Sequence, residues 1–248
     1  MAETRGEAAL SSQSPLRYQW AAAGSVVDGF EPQVREFQLG PSIPPGAPGS
    51  TTSRHRLVVA YGALPAQPLL RAEAARFHRV SPAHIVLVRE CPLCGSDAHG
   101  RPHLLATAAV RHPAYVSLAR AGDLSVVAIT DAGPVGVDVE ADGAADFAGF
   151  EDVAAHPGER ATPLADRTRV WVRKEALLKA YGLGLAVDPS EVWLDNDGLV
   201  TWDSRRRPPG PVWLRDLDMP GQVAAVAVLP LADGDVVGLS ATVRPVST

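Results

Sequence analysis

A run of valines interrupted by two acids, GPVGVDVEADG at residues 133–143, constrains the fold more than any other stretch of the chain. An alternation with a period of two is typical of a β-strand, so the valines are expected to share one face of a strand. Asp138 and Glu140 then lie on the opposite face, about 7 Å apart along the strand. Two such carboxylates repel each other, and the pKa of one rises unless a cation lies between them. An oxygen-only ligand set favours magnesium over zinc, and the alternative is a solvated strand face that carries two acids.

A long helix is predicted over residues 163–185, where the pattern ends in glycines. At 100° per residue, Trp171, Glu175 and Lys179 fall on one line of this helix. Glu175 and Lys179 are also a favourable pair on any solvated helix, worth about 0.3–0.5 kcal/mol. The informative feature is the combination, because the helix motif W-x-x-K-E-A-x-x-K follows the D-x-E strand after about 35 residues.

The remaining pattern indicates a mixed chain of strands and helices. With 248 residues, 46% of them hydrophobic, it can bury a core as one large domain or two small ones. Residues 1–54 are predicted to be poorly ordered because 39–53 are rich in Pro, Gly, Ser and Thr. The strand at 124–130 is joined to the acid-bearing strand by the turn DAGP, which predicts an antiparallel hairpin. A helix is predicted at 67–80, strands at 55–64, 84–90, 215–230 and 235–243, and a hairpin at 190–204.

Composition excludes several classes of protein. The net charge of −5 argues against a general nucleic-acid binder, which usually has a basic balance. No run of 18 apolar residues is present, so no membrane span is predicted. The first residues, MAETRGEAALSSQ, lack the basic-then-apolar order of a signal peptide, and a cytoplasmic protein is expected.

Two motifs carry a resemblance to a known family. GVDVE at 136–140 and WVRKEALLK at 171–179 resemble, in this order and spacing, the 4′-phosphopantetheinyl transferases of the surfactin-synthetase-activating type. The family pattern is G-[IV]-D-x-E followed by W-x-x-K-E-x-x-x-K. HGRP at 99–102 is similar to the family's G-[KR]-P element, and 116–129 is similar to its F-N-x-S-H-S-G-D segment.

The resemblance implies a fold and an activity. The fold is α/β (α+β), a pseudo-dimer of two similar halves with the active site in the cleft between them. The halves are expected at 55–134 and 135–248, with the metal site in the second, and the protein is expected to be a monomer. Such enzymes transfer the phosphopantetheine group of coenzyme A to a serine of an acyl or peptidyl carrier protein. The reaction needs Mg²⁺ and releases 3′,5′-ADP, and the chain length favours the broad-specificity type that serves polyketide or nonribosomal peptide synthesis.

The resemblance also assigns roles to residues. Asp138, Glu140 and Glu175 are expected to bind the magnesium ion. Glu175 is the candidate general base for the carrier serine, directly or through a water, and Lys179 stabilises the transition state or the leaving group. The candidates for binding the phosphates of coenzyme A are Arg101, Arg120, Lys174, Lys179 and Arg71.

The chain departs from the family pattern at one place. Where the family has S-H-S, this sequence has Ala119, Arg120 and Ala121. Arg120 can supply a permanent cation in place of the histidine that contacts a coenzyme A phosphate. The alternative is a non-catalytic module that binds coenzyme A or a carrier protein on the same fold.

Two further features remain open at the level of sequence. One is C-x2-C-x4-H-x3-H, formed by Cys91, Cys94, His99 and His103, which is either a zinc site or a metal-free loop. The other is a surface for an acidic carrier protein. Its candidates are the basic residues Arg167, Arg169, Arg173 and Lys174, and the run Arg205, Arg206 and Arg207.

Overall fold

The computed structural model of the chain describes residues 35–38, 55–91, 94–159, 164–195, 199–202, 212–231 and 239–246. The predicted N-terminal extension, 1–54, lies outside these residues apart from one short strand at 35–38. All of these described residues belong to one compact unit.

Strands and helices are mixed along the described part of the chain, which makes it an α+β protein. The strands are β1 (Arg35–Gln38), β2 (Arg56–Gly62), β3 (Leu87–Glu90), β4 (Arg101–Leu104), β5 (Tyr115–Ala121), β6 (Leu124–Thr130), β7 (Val135–Ala141), β8 (Val192–Leu194), β9 (Leu199–Trp202), β10 (Trp213–Met219), β11 (Gln222–Val228) and β12 (Ser240–Pro245). The α-helices are α1 (Ala66–His78), α2 (Phe150–Val153) and α3 (Leu164–Tyr181). Short 3-10 helices lie at Pro82–His84, Pro157–Glu159, Gly184–Ala186 and Pro189–Glu191.

A five-stranded sheet with the order β1-β12-β2-β6-β5 forms the first layer of the core. Its pairs are antiparallel except β12 with β2, which run parallel. Of the predicted strand 235–243, residues 240–243 are observed in β12, which lies between β1 and β2, and 235–238 lie outside the described residues. The helix predicted at 67–80 is α1, whose Leu70, Ala74 and Phe77 pack against Val127 and Ile129 on one face of this sheet.

The acid-bearing strand β7 lies in a separate three-stranded sheet, in the order β10-β11-β7. The predicted hairpin with 124–130 is therefore wrong. Between the two strands, Pro134 accepts a hydrogen bond from Leu229 and Ala132 accepts one from Leu231, so the connection pairs with the end of β11 instead. The predicted strand at 215–230 is in fact the hairpin β10–β11.

The burial of the valine face explains why β7 leaves the first sheet. Val135, Val137 and Val139 are fully buried and pack against Val126 and Ala128 of β6. If β7 paired with β6 in one sheet, the valine side chains would lie beside those of β6 and would need another layer to cover them. Because the two sheets pack face to face, the side chains of β6 cover the valines directly. The alternation predicted from sequence is confirmed, and tertiary packing decides the partner.

Helix α3 packs on the other face of β7 at unusually short range. A Cβ atom at Gly136 would overlap the carbonyl oxygen of Ala176 and the backbone nitrogen of Ala180. Glycine on the strand and alanines on the helix therefore let the two backbones meet. This contact brings the acids of β7 beside Glu175 and Lys179, the polar line of α3.

The hairpin predicted at 190–204 is observed as the antiparallel pair β8–β9. None of the described helices combines the length and the apolar composition that crossing a bilayer requires.

Candidate active site

The acids of β7 and the polar line of α3 meet at the ammonium group of Lys179. Lys179 donates a hydrogen bond to Oδ1 of Asp138 at 2.5 Å and a longer one to the carbonyl oxygen of Val137 at 3.4 Å. Asp138 is 5% exposed and Glu175 is 9% exposed, while Glu140 is half-buried at the edge of the cluster. The two motifs, separated in sequence, thus form one charged cluster of three carboxyls and one ammonium.

Two carboxyl oxygens in this cluster have no hydrogen-bond partner. Oδ2 of Asp138 and Oε1 of Glu175 are both buried and unsatisfied. A buried polar atom without a partner costs about 1–3 kcal/mol, so such atoms are rare outside functional sites. These two oxygens are free to accept a bond from a ligand.

The burial of the cluster changes its protonation. Burial raises the pKa of Glu175 to about 7; Lys179 opposes the rise, and Asp138 and Glu140 add to it. Burial likewise raises the pKa of Glu140 to about 7, with a further contribution from the charge of Asp138. Burial also raises the pKa of Asp138 despite its bond to Lys179. For Lys179, burial alone would lower the pKa, but the surrounding carboxylates outweigh it and raise the pKa.

The stability of the metal-free protein is expected to depend on these carboxyls. Because the folded chain holds the protons of Glu140 and Glu175 more tightly than the unfolded chain, their contribution is complete below pH 4.5 and lost as the pH rises through about 7. The shift at Glu175 alone corresponds to about 3 kcal/mol in the free energy of unfolding. Urea unfolding in EDTA between pH 5 and 8 measures the decline. Glu175→Gln should remove roughly half of it, since Glu140 has a pKa rise of the same size, and an unchanged slope in that variant would contradict the assignment.

The cluster has the donor chemistry for a hard divalent cation. Asp138, Glu140 and Glu175 offer carboxylate oxygens only, as Mg²⁺ prefers, and two of these oxygens are unsatisfied. Within the described residues, the only three ligand atoms that all lie within 4.8 Å of one another belong to Cys91, Cys94 and His99. The carboxylate oxygens of the three acids are therefore farther apart than the ligands of one shared ion. A cation held by all three acids would therefore draw them together and compete with Lys179 for Asp138.

A cavity of about 490 Å³ is bordered on one side by Lys179. Arg89 on β3 and Arg101 on β4 line it together with Lys179, and no carboxylate is among its lining residues in the described part of the chain. Burial lowers the pKa of Arg101 from its very high ordinary value, so this guanidinium is partly withdrawn from water. Cations without acids make the cavity suitable for a polyanion such as a diphosphate.

Sequence reasoning did not identify two of the residues that line this cavity. Arg89 lies on the same face of β3 as the partly buried Leu87, which is the local signal that its side chain faces inward. Ser117 on β5 is buried, and its Oγ accepts a hydrogen bond from the backbone nitrogen of Val137 at 3.1 Å. It therefore ties the first sheet to the acid-bearing strand.

The other predicted phosphate ligands lie away from this cavity. Arg120 is exposed on β5 and is not among the cavity's lining residues. Arg71 on α1 donates to the carbonyl oxygen of Ile85 and lines a second cavity of about 490 Å³, which Arg89 also borders. Arg71 and Arg89 thus mark a basic region next to the first cavity.

Lys174 does not reach the cavity. Its side chain is fully buried, where its ammonium forms an ion pair with Glu159 and donates to the carbonyl oxygens of Ala154 and Pro189 at 2.6 and 3.1 Å. The sequence analysis assigned this ammonium to a coenzyme A phosphate, but its charge is paired inside the core. We therefore leave Lys174 out of the proposed phosphate ligands.

The predicted basic patch at the start of α3 is largely neutralised. Arg169 and Arg173 both bind the carboxylate of Asp216, at 2.7 and 2.6 Å, and Arg167 is paired with Glu151. These arginines hold α3 to neighbouring segments rather than forming an unpaired positive surface. The second patch, 205–207, lies outside the described residues.

Comparison with known families bears on the segment that carries the cluster. Residues 134–216 match the family model of the 4′-phosphopantetheinyl transferase superfamily. The match spans about a third of the chain and includes Asp138, Glu140, Glu175 and Lys179, whereas the cavity arginines precede it. It supports a transferase of that superfamily. No curated protein matches the chain.

Proposed function

We propose that this protein transfers the 4′-phosphopantetheine group from coenzyme A to a serine of an acyl or peptidyl carrier protein. The observation that supports it best is the position of Lys179, which belongs both to the carboxyl cluster and to the wall of the cation-lined cavity. A transferase that acts on a diphosphate needs these two parts side by side. The motifs on β7 and α3 within the family match favour the surfactin-synthetase-activating type.

The acids of the cluster form the proposed magnesium site. Asp138, Glu140 and Glu175 would hold the ion, which when bound neutralises charge on the diphosphate of coenzyme A. Lys179, which donates to Asp138 in this cluster, also borders the cavity and would serve as a phosphate ligand there.

The cations of the cavity orient the substrate. Arg101 and Arg89 would bind phosphate oxygens of coenzyme A through their guanidinium groups, and Lys179 would donate to the diphosphate. In the transfer, negative charge moves onto the oxygen that leaves with 3′,5′-ADP. Lys179 would stabilise that charge.

Glu175 is the proposed general base. Its Oε1 has no hydrogen-bond partner and is therefore available to accept a proton, directly or through a water. The carrier serine loses its hydroxyl proton to Glu175 as its oxygen bonds to the β-phosphorus. The bond from that phosphorus to the bridging oxygen breaks, and 3′,5′-ADP leaves with the electron pair.

The proposed setting follows from the same assignment. The two halves of the fold, 55–134 and 135–248, would act as a pseudo-dimer within one chain, so a monomer suffices. Carrier proteins of polyketide or nonribosomal peptide synthesis are the proposed partners, and the cytoplasm, where coenzyme A is available, is the proposed location. Neither nucleic acid nor a membrane has a role in the reaction.

Intact-protein mass spectrometry tests the proposal. Apo carrier proteins of fatty-acid, polyketide and nonribosomal peptide type are incubated with the protein, coenzyme A and Mg²⁺. A gain of one phosphopantetheine group on any of them supports transfer. No gain on any carrier, with coenzyme A binding retained, would favour the alternative of a non-catalytic coenzyme A or carrier-binding module.

Arg101 is expected to contribute to coenzyme A binding. Loss of a charge-assisted hydrogen bond costs about 1.5–3 kcal/mol, so Arg101→Ala should raise the KM for coenzyme A by about tenfold or more. The exposed Arg111 offers a matched control, and Arg111→Ala should leave KM within about twofold. Arg120→Ala in the same assay decides whether Arg120 replaces the family histidine. An unchanged KM in Arg101→Ala would remove that residue from the site.

A further inference from the structure

A second group of ligand-type side chains lies in the loop between β3 and β4. The Sγ atoms of Cys91 and Cys94 and a ring nitrogen of His99 all lie within 4.8 Å of one another. Cys91 and Cys94 are not joined by a disulfide bond. Sulfur from Cys94 approaches Nε2 of His99 to 3.4 Å. The carboxyl cluster uses none of these atoms.

The observed spacing matches tetrahedral zinc. With Zn–S near 2.3 Å and Zn–N near 2.0–2.1 Å, tetrahedral angles place sulfur and nitrogen about 3.6 Å apart. The distance from Cys94 to His99 is 3.4 Å. Two thiolates and an imidazole select zinc over magnesium, because soft sulfur ligands disfavour a hard ion.

Two backbone hydrogen bonds tie Cys91 to the residues that follow Cys94. Gly95 donates to the carbonyl oxygen of Cys91 at 2.8 Å, and Cys91 donates to the carbonyl oxygen of Ser96 at 2.9 Å. Gly95 has a φ of +68°, a conformation that favours glycine. These bonds close a turn around the first ligand before any ion is bound.

The structure changes the four-ligand set considered from the sequence. His103 lies on β4, is exposed, and is not part of the trio. Cys94 and His99 are exposed too, so solvent has access to the remaining tetrahedral position. Three protein ligands plus a water is an established zinc coordination.

We propose that Cys91, Cys94 and His99 bind one Zn²⁺ ion, with a water as the fourth ligand. The ion closes the loop that precedes Gly100 and Arg101. Cys91 and His99 also line the cavity that Arg101 borders, so the ion stiffens one wall of that cavity. The zinc site does not depend on the proposed transferase activity, because metal content is measured without any activity assay.

Metal analysis of the purified full chain tests the proposal. The reduced protein, loaded with Zn²⁺ and then desalted, should retain about one equivalent of zinc per chain. Cobalt loading should give the intense visible absorption of a tetrahedral cobalt–thiolate centre. Cys94→Ser is the first variant, because Cys94 is exposed and its loss should not disturb folding. It should lower retained zinc at least tenfold and abolish the cobalt spectrum, as should His99→Ala.

His103→Ala is the matched control, since it removes a histidine of the same loop region that lies outside the trio. It should retain zinc at the wild-type level. A wild-type protein that retains neither zinc nor cobalt would overturn the proposal and leave a thiol–imidazole hydrogen bond. Zinc retained in full by folded Cys94→Ser would overturn it equally. Loss of zinc in His103→Ala but not in His99→Ala would place the site on other ligands.

Discussion

Glu175→Gln is expected to lower kcat for phosphopantetheine transfer by about 10²–10⁴-fold, the range that general acid–base catalysis supplies. Glutamine has nearly the same shape but accepts no proton at this position and brings no negative charge to a cation. Because burial already favours the neutral form of Glu175, the variant should fold and be at least as stable as the wild type at pH 8. The loss would therefore be chemical rather than structural.

The assay follows carrier modification by mass spectrometry under saturating coenzyme A and carrier. Glu191→Gln provides a matched control, because Glu191 lies outside both the carboxyl cluster and the cavity and should leave kcat within about twofold. Asp138→Asn should show a loss similar to that of Glu175→Gln, with Asp142→Asn as its exposed counterpart. Wild-type turnover in folded Glu175→Gln would remove the general base from the mechanism.

Lys174→Met is expected to destabilise the fold by about 3–5 kcal/mol, the cost of leaving one partner of a buried ion pair uncompensated. Glu159, which would lose its partner in this variant, also accepts two backbone hydrogen bonds. Its Oε1 accepts from the backbone nitrogen of Leu194 at 2.7 Å, and its Oε2 accepts from that of His156 at 3.0 Å. The pair thus joins α3 to β8 and to the loop before α3.

Urea unfolding measures this cost, and a double-mutant cycle isolates it. Combining Lys174→Met with Glu159→Gln removes the uncompensated charge and should recover part of the loss. Arg169→Ala is the contrasting variant, since Arg169 and its partner Asp216 are both more than a third exposed, and it should cost no more than about 1 kcal/mol. If Lys174→Met and Arg169→Ala lowered the free energy of unfolding by the same small amount, the buried ion pair would be no more important to stability than the exposed one.

Local periodicity was sufficient to predict the faces of β7 and α3. The alternation of valines with Asp138 and Glu140 is a property of a single strand, and the line from Glu175 to Lys179 is a property of a single helix. These two predictions therefore do not depend on which other elements pack against the strand or the helix. That the two lines would meet was implied only by the family resemblance.

Partner choice could not be predicted from local pattern. The short turn before β7 favoured a hairpin with β6, yet burial of Val137 between two sheets determines where the strand pairs. The pairing of Lys174 was equally hidden, because its partner Glu159 belongs to a separate 3-10 helix. The role of Arg89 in the cavity wall could not be predicted, because the sequence of β3 does not show that β4, β5 and α3 enclose a cavity beside it.

The claim on which the account depends is that the carboxyl cluster and the cation-lined cavity bind one magnesium-coordinated diphosphate together. Calorimetric titration of coenzyme A into the wild-type protein, with Mg²⁺ or with EDTA, tests it directly. We expect the affinity for coenzyme A to be at least about tenfold higher with Mg²⁺, and the affinity for Mg²⁺ to rise by the same factor with coenzyme A. An affinity for coenzyme A that is the same with and without Mg²⁺ would contradict the account.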